Sequence, residues 1–199
     1  MADYTAIEAV SRALQRVLTE ALTAVGGVVP PTAVLHNLRP PPGGQPPILT
    51  LFLYEVSEDP TVRNRDPMRQ LEPFDGGQRY RVTRPPLGLE LRYLVTAWAN
   101  DRNTEQLMIG RTMQFLYERQ VRRGADLDPQ LDLPLLSITL APLTLEERTR
   151  VWWSIQQPYQ LSLNYEVRVI DVDVSGGDAD LAAPVRERQL DGYFPETER

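Results

Sequence analysis

The sequence predicts an α/β fold: one domain built on a mixed, largely antiparallel sheet of about four to six strands, flanked by about three helices. Three observations carry this. Segments with apolar residues at helical spacing alternate with segments of period two or continuous apolar runs. Threonine or asparagine with Glu or Gln three positions on marks the start of each helical segment. The chain has 199 residues, 42% of them hydrophobic and 24% charged, enough to bury one ordinary core.

The first helix is read from Ile7, Val10, Leu14, Val17, Leu18, Ala21 and Leu22, with Arg12, Gln15, Arg16 and Glu20 on the other face. Thr5 and Glu8 form a capping-box pattern, and Gly26-Gly27 supplies a stop. A proline-rich linker then brackets Val34 to Leu38, an expected edge strand. Ile48 to Val56 reads ILTLFLYEV, apolar on both alternating faces, and is expected at the middle of the sheet. Residues 57–86 read as a long charged loop, with one strand-like stretch at Arg79 to Val82. Leu87, Leu89, Leu91, Tyr93, Val95 and Ala97 alternate with their neighbours and predict a strand.

Asn103 and Gln106 form a second cap, for a helix traced by Leu107, Ile109, Met113, Leu116 and Tyr117 and ending near Gly124. Leu135 to Leu140 is a short strand. Thr144 and Glu147 form a third capping box, for a helix through Val151, Trp152, Trp153 and Ile155 that Pro158 closes. In the last strand, Tyr159 to Val174, the apolar phase runs through Val167 and Val169 and then slips to Ile170, Val172 and Val174. A one-residue slip demands a bulge or a new covering surface, and a neighbouring subunit would be a natural cover for those three residues. Residues 1–174 thus form the folded domain, and 175–199 a flexible acidic tail with Leu181, Val185, Leu190, Tyr193 and Phe194 as scattered anchors.

The residues needed for catalysis are missing. Zero cysteines exclude thiol catalysis and thiolate metal sites, and the absence of lysine excludes Schiff-base chemistry and a phosphate-loop lysine. His36 is the one histidine, with no nucleophile or ligand set beside it in sequence. Asp171 with Asp173, and Asp178 with Asp180, sketch an oxygen-ligand site but lack EF-hand spacing. No catalytic residue, cofactor or metal is therefore expected. A small metal-dependent hydrolase using Asp171, Asp173 and His36 is the competing enzymatic reading.

Partners are bounded by charge. With 27 acidic and 21 basic residues the net charge is -6, the wrong sign for a nucleic-acid binder. No apolar run suggests membrane insertion, and the N-terminus carries no readable secretion signal, so assembly in the cytoplasm is expected. What remains is protein docking. Arg63, Arg65, Arg69, Arg79, Arg81 and Arg84 crowd the long loop, nearly balanced by acidic neighbours. Trp152 and Trp153 cannot both enter one core, so one of them is expected to face a groove or a partner.

Four stretches together resemble the cap, or tail-terminator, family of extracellular contractile injection systems: LFLYEVSEDPTVRNRD (Leu51 to Asp66), RPPLGLELRYLVTAWAND (Arg84 to Asp101), IGRTMQFL (Ile109 to Leu116) and LTLEERTRVWWSIQQPYQLSLNYEVRV (Leu143 to Val169). The resemblance spans roughly residues 5–173, in the order of the elements above. That family is similar to phage tail terminators. The resemblance implies a hexameric ring on the end of an inner tube, meeting the last ring of sheath, with partners limited to further copies of itself, tube protein and sheath protein. It marks Arg63, Asn64, Arg65, Asp66 and Arg84 as assembly contacts, to which the residue pattern adds Trp152, Trp153, Ile170, Val172 and Val174. An adaptor for baseplate or effector loading in the same particle is the alternative.

Overall fold

The computed structural model describes residues 5–27, 29–43, 46–63, 65–66, 68–74, 77–83, 87–119, 121–127, 135–172 and 180–182. In chain order the elements are α1 (Ala6–Leu22), β1 (Thr32–Leu35), β2 (Ile48–Glu58), α2 (Pro60–Arg63), β3 (Met68–Phe74), β4 (Gly77–Thr83), β5 (Leu87–Trp98), α3 (Arg102–Tyr117), β6 (Val121–Arg122), α4 (Gly124–Leu127), β7 (Leu135–Leu140), α5 (Leu145–Ser154), β8 (Ser162–Val172) and β9 (Asp180–Ala182). They fall into two compact units, one of residues 1–65 with 86–175 and one of 66–85 with 176–199.

The larger unit carries a six-stranded sheet in the order β1-β2-β5-β8-β7-β6. Only the β1–β2 pair is parallel; every other pair is antiparallel, as expected of a mixed, largely antiparallel sheet. Three longer helices flank it. The middle, however, belongs to β5 and β8 rather than to β2. Along β5, residues from Leu91 to Ala97 other than Arg92 are buried, whereas β2 is buried only at Leu49, Thr50 and Leu51. Past a register shift between Leu53 and Glu55 the β2 run turns outward, and Val56 is 46% exposed.

The bulge foreseen in the last strand is present. Leu89 pairs with Val169 and Leu87 with Val172, so β8 inserts one extra residue where its apolar phase slips. Strand β8 begins at Ser162, three residues later than expected. At the sheet edge, β1 is guarded by α1: the Thr19 hydroxyl accepts the Ala33 N–H at 3.0 Å and donates to the Gln15 carbonyl at 2.8 Å.

One sheet face packs against α1 and α3. Val10, Leu14 and Leu18 of α1 and Met108 and Leu116 of α3 meet Leu91, Tyr93, Val95 and Val167 of the sheet. Inside this layer the Tyr93 hydroxyl shares a 2.7 Å hydrogen bond with Ser11 Oγ. The opposite face is covered at one end by α5, where Trp152 and Ile155 close over Leu94 and Leu38. Leu38 reaches that core with a positive φ of 62°, its N–H donating to His36 Nδ1 at 2.8 Å. The adjacent Arg39 donates from Nε to the Ile155 carbonyl at 2.9 Å and from Nη2 to the Ser154 carbonyl at 2.6 Å, which satisfies orphan carbonyls at the end of α5.

The capping signals fare unequally. At α5 the Thr144–Glu147 box forms in full: Glu147 N–H donates to Thr144 Oγ1 at 3.2 Å and Thr144 N–H to Glu147 Oε2 at 2.8 Å. At α3 the cap is Asp101, which accepts the Thr104 N–H at 2.8 Å, instead of Asn103, and the helix stops at Tyr117 rather than near Gly124. At α1 Thr5 makes no side-chain capping bond, because its own backbone is already helical; Glu8 pairs forward with Arg12. The stop at Gly26 and Gly27 holds, both at positive φ.

The smaller unit corrects the reading of 57–86 as a loop. β3 and β4 pair from Met68↔Thr83 to Phe74↔Gly77, and β9, from the segment expected to be an unstructured tail, pairs with β4 at Tyr80↔Ala182.

Candidate docking surfaces

The arginine-bearing segment after β2 is held by a small, well-defined device. Asp59, 1% exposed, accepts from the Thr61 N–H at 2.8 Å and the Thr61 hydroxyl at 2.7 Å through one carboxylate oxygen, while its own N–H donates to the Gly88 carbonyl at 2.9 Å. Burial raises the Asp59 carboxyl pKa, but the Thr61 hydrogen bonds and the fields of Arg168 and Arg65 outweigh it and hold it below the ordinary value. The turn drops Val62, fully buried, onto β5 at Gly88, where a Cβ would lie 2.7 Å from Val62 Cβ. Glycine is required there by close approach. The result points Arg63, Arg65 and Asp66 into solvent; Arg63 is 70% exposed along its side chain, with Glu58 3.8 Å away. Asn64 and Arg84 lie outside the described residues.

Beside this device the sheet face carries a charged ladder that the sequence reading overlooked. Arg92 Nη2 lies 2.8 Å from Glu90 Oε1, Arg92 Nη1 3.3 Å from Glu55 Oε2, and Arg168 Nε 2.7 Å from Glu166 Oε1. Glu90 faces Arg168 and Arg92 faces Glu166 across the β5–β8 pair. The signal was available: Glu90-x-Arg92 and Glu166-x-Arg168 put opposite charges on one face of each strand, and antiparallel pairing crosses them.

The two tryptophans part company. Trp152 is 1% exposed, its Nε1–H donating to Ser162 Oγ at 3.2 Å and its ring edge-on to Trp98 at 6.3 Å. As an interface candidate Trp152 is therefore corrected to a core residue: a helix turns about 100° per residue, so one neighbour of the pair must face away. Trp153 is that neighbour, 81% exposed, with Leu145 67% exposed on the same helix. The side chains of Ile170 and Val172, and all of Val174, lie outside what the structure describes.

Helix α3 holds a second correction. Its buried face is Met108, Ile109, Thr112, Phe115 and Leu116, so Leu107, Met113 and Tyr117, read as part of that apolar face, are 61%, 39% and 74% exposed. Met113 and Tyr117 form one wall of an apolar groove of ≈ 260 Å³ whose other wall is Ile138, Leu140 and Tyr165.

Among the described residues no three His, Cys, Asp or Glu side chains come together as a metal site. His36 is engaged in the Leu38 turn, and Asp173 and Asp178 lie outside the described residues. No described helix is long and apolar enough to cross a membrane.

The fold matches two solved assemblies. A sheath/tube terminator from an extracellular contractile injection system, PVC, in its extended state superposes with a TM-score of 0.59 at 19% identity, over 99% of this chain and 67% of that one. The tube-terminating cap of the anti-feeding prophage superposes with a TM-score of 0.56 at 20% identity, over 91% of this chain and 59% of that one. No curated protein matches the sequence. The family model of the Pvc16 N-terminal domain matches residues 9–183, nearly the whole chain including both sheets, and the chain belongs to that family.

Proposed function

We propose that this chain is a structural cap: it sits on the distal end of the inner tube and sheath of a contractile injection particle, as a ring of six copies, and stops both polymers from growing. The observation that carries the reading is the match of nearly the entire chain to a sheath/tube terminator, supported by membership of the Pvc16 N-terminal domain family. The physical character of the surface agrees with it. Exposed arginines on a buried aspartate turn, an exposed tryptophan on α5 and an apolar groove beside α3 are features suited to protein contacts. The role needs surfaces and no catalytic pocket. Assembly takes place in the cytoplasm, with tube and sheath proteins as partners.

The test is electron microscopy of particles from cells lacking the gene beside complemented cells, scored for tube length and sheath closure. Long, irregular or unsheathed tubes are expected without the gene. Normal, fully sheathed particles would reject capping in favour of an adaptor at the baseplate.

A further inference from the structure

We propose that Trp153 of each copy seats in the apolar groove between α3 and β7 of the next copy, so that the ring closes head to tail. The inference rests on the ring named above and adds which surfaces join its members. Two apolar features of the larger unit are left uncovered, one on each face of its sheet. On one face, α5 presents Trp153, 81% exposed. That indole stands on a fixed base, because Trp152 beside it is locked into the core by Ser162 and Trp98. The nearby charges Arg150 and Glu146 hold each other at 2.6 Å, so the surface around the indole is close to neutral.

On the other face lies the groove of ≈ 260 Å³, where Met113 and Tyr117 of α3 oppose Ile138, Leu140 and Tyr165. A protein cavity of about 150 Å³ holds a benzene ring, so the groove has room for an indole. None of its lining side chains is charged, in a chain of which 24% is charged, so an entering ring strips no ion of water. The sheet lies between the two features, and a chain therefore cannot fill its own groove. A projection and a hollow at different places on one molecule join copies head to tail, and that heterologous contact closes into a ring when the rotation permits. Each copy keeps one free indole and one free groove until the ring is complete. Trp153 and Tyr117 expose roughly 200 and 150 Å². Two side chains thus supply about a fifth of the about 1,600 Å² of a stable interface, the concentration expected of anchors seated in pockets.

The chain has no cysteine, so two thiols can mark the contact: Thr149→Cys, one turn before Trp153, and Gln114→Cys on the rim of the groove. With a short bismaleimide, the full chain carrying both is expected to give a ladder of covalent oligomers up to a closed ring. Either single variant alone stays unlinked, and an equal mixture of the two gives dimers. Adding Trp153→Ala, or Leu140→Arg in the groove wall, weakens the contact at least about thirtyfold and removes the ladder; both residues are exposed, and circular dichroism confirms that the fold remains. A double variant without a ladder, a ladder that survives Trp153→Ala, or a single variant that links to itself overturns the proposal. Capping fails separately. Particles that are malformed without the gene but normal with Trp153→Ala retain the cap and reject this contact, whereas a ladder in solution beside normal particles from cells lacking the gene keeps the contact and rejects the cap. A chain that cannot close its ring loses the tube end and the sheath with it.

Discussion

Adjacent tryptophans on α5 should behave as opposites. Replacing Trp152 by alanine empties the centre of the smaller core, where its ring lies edge-on to Trp98 and covers Leu94 and Leu38. A buried tryptophan removes roughly 200 Å² from water, about 5 kcal/mol at about 25 cal/mol per Å², and aromatic-to-alanine changes in cores cost about 3–5 kcal/mol. The substitution also strips the Ser162 hydroxyl, 1% exposed, of its indole donor. In a chain of this size each kcal/mol lowers the melting temperature by about 2–4 °C, so Trp152→Ala should melt about 6–20 °C lower. Trp153→Ala, at 81% exposure, should stay within about 0.5 kcal/mol of the parent while losing binding to tube or sheath. Thermal unfolding by circular dichroism measures both. Equal losses from the two variants, or a stable Trp152→Ala, would mean that α5 is rotated about its axis and would refute the packing described.

Three further outcomes are expected. Gly88→Ala drives a methyl to 2.7 Å from Val62 Cβ and Cγ2, costing about 1–3 kcal/mol by overpacking; the loss should be read as faster hydrogen exchange from Val62 to Arg65, and Val62→Gly should relieve it more than Val62→Ala, which keeps Cβ. Thr144→Ala removes the hydroxyl half of the α5 capping box and leaves the Thr144 backbone N–H on Glu147; it should cost about 1 kcal/mol in denaturant unfolding, against nearly nothing for Thr5→Ala on that account. Burial pushes the Tyr93 phenol from 10.0 up to about 12, so between those values the unfolded chain loses a proton that the folded chain keeps. Stability is then full below pH 10, falls as pH rises through 12 by up to about 2–3 kcal/mol, and Tyr93→Phe should flatten the slope; Tyr165, also raised to about 12 by burial, leaves a remainder.

What could be read from the chain beforehand followed from whether burial leaves a pattern. The β8 bulge was legible because the residues around Val169 and Ile170 must change phase when one face stays buried. The α5 cap was legible because Thr144 and Glu147 satisfy each other. Of the β3–β4 hairpin only the Arg79 to Val82 stretch of β4, with Tyr80 and Val82 two apart, was legible; β3, MRQLEPF, lacks an apolar face and carries a proline, so period-two analysis has nothing to detect there. Strand β2 misled for the opposite reason: its apolar run outlasts its burial, because the bulge after Leu53 hands the strand over to the charged ladder at Glu55 and Arg92. On α3, apolar residues go round the helix, and spacing alone did not distinguish the inward set from Leu107, Met113 and Tyr117. The charged ladder was readable strand by strand but needed the β5–β8 register to become a network.

A free strand edge is an invitation for another strand to stack on it. At β1 that invitation is withdrawn by a neutral hydroxyl: with Thr19 on the Ala33 N–H, a second sheet has no donor to take there. Lysine is one common guard of such an edge, and this chain contains none. The guard at Ala33 is uncharged, so neither salt nor pH screens or titrates it, as they would a charged one.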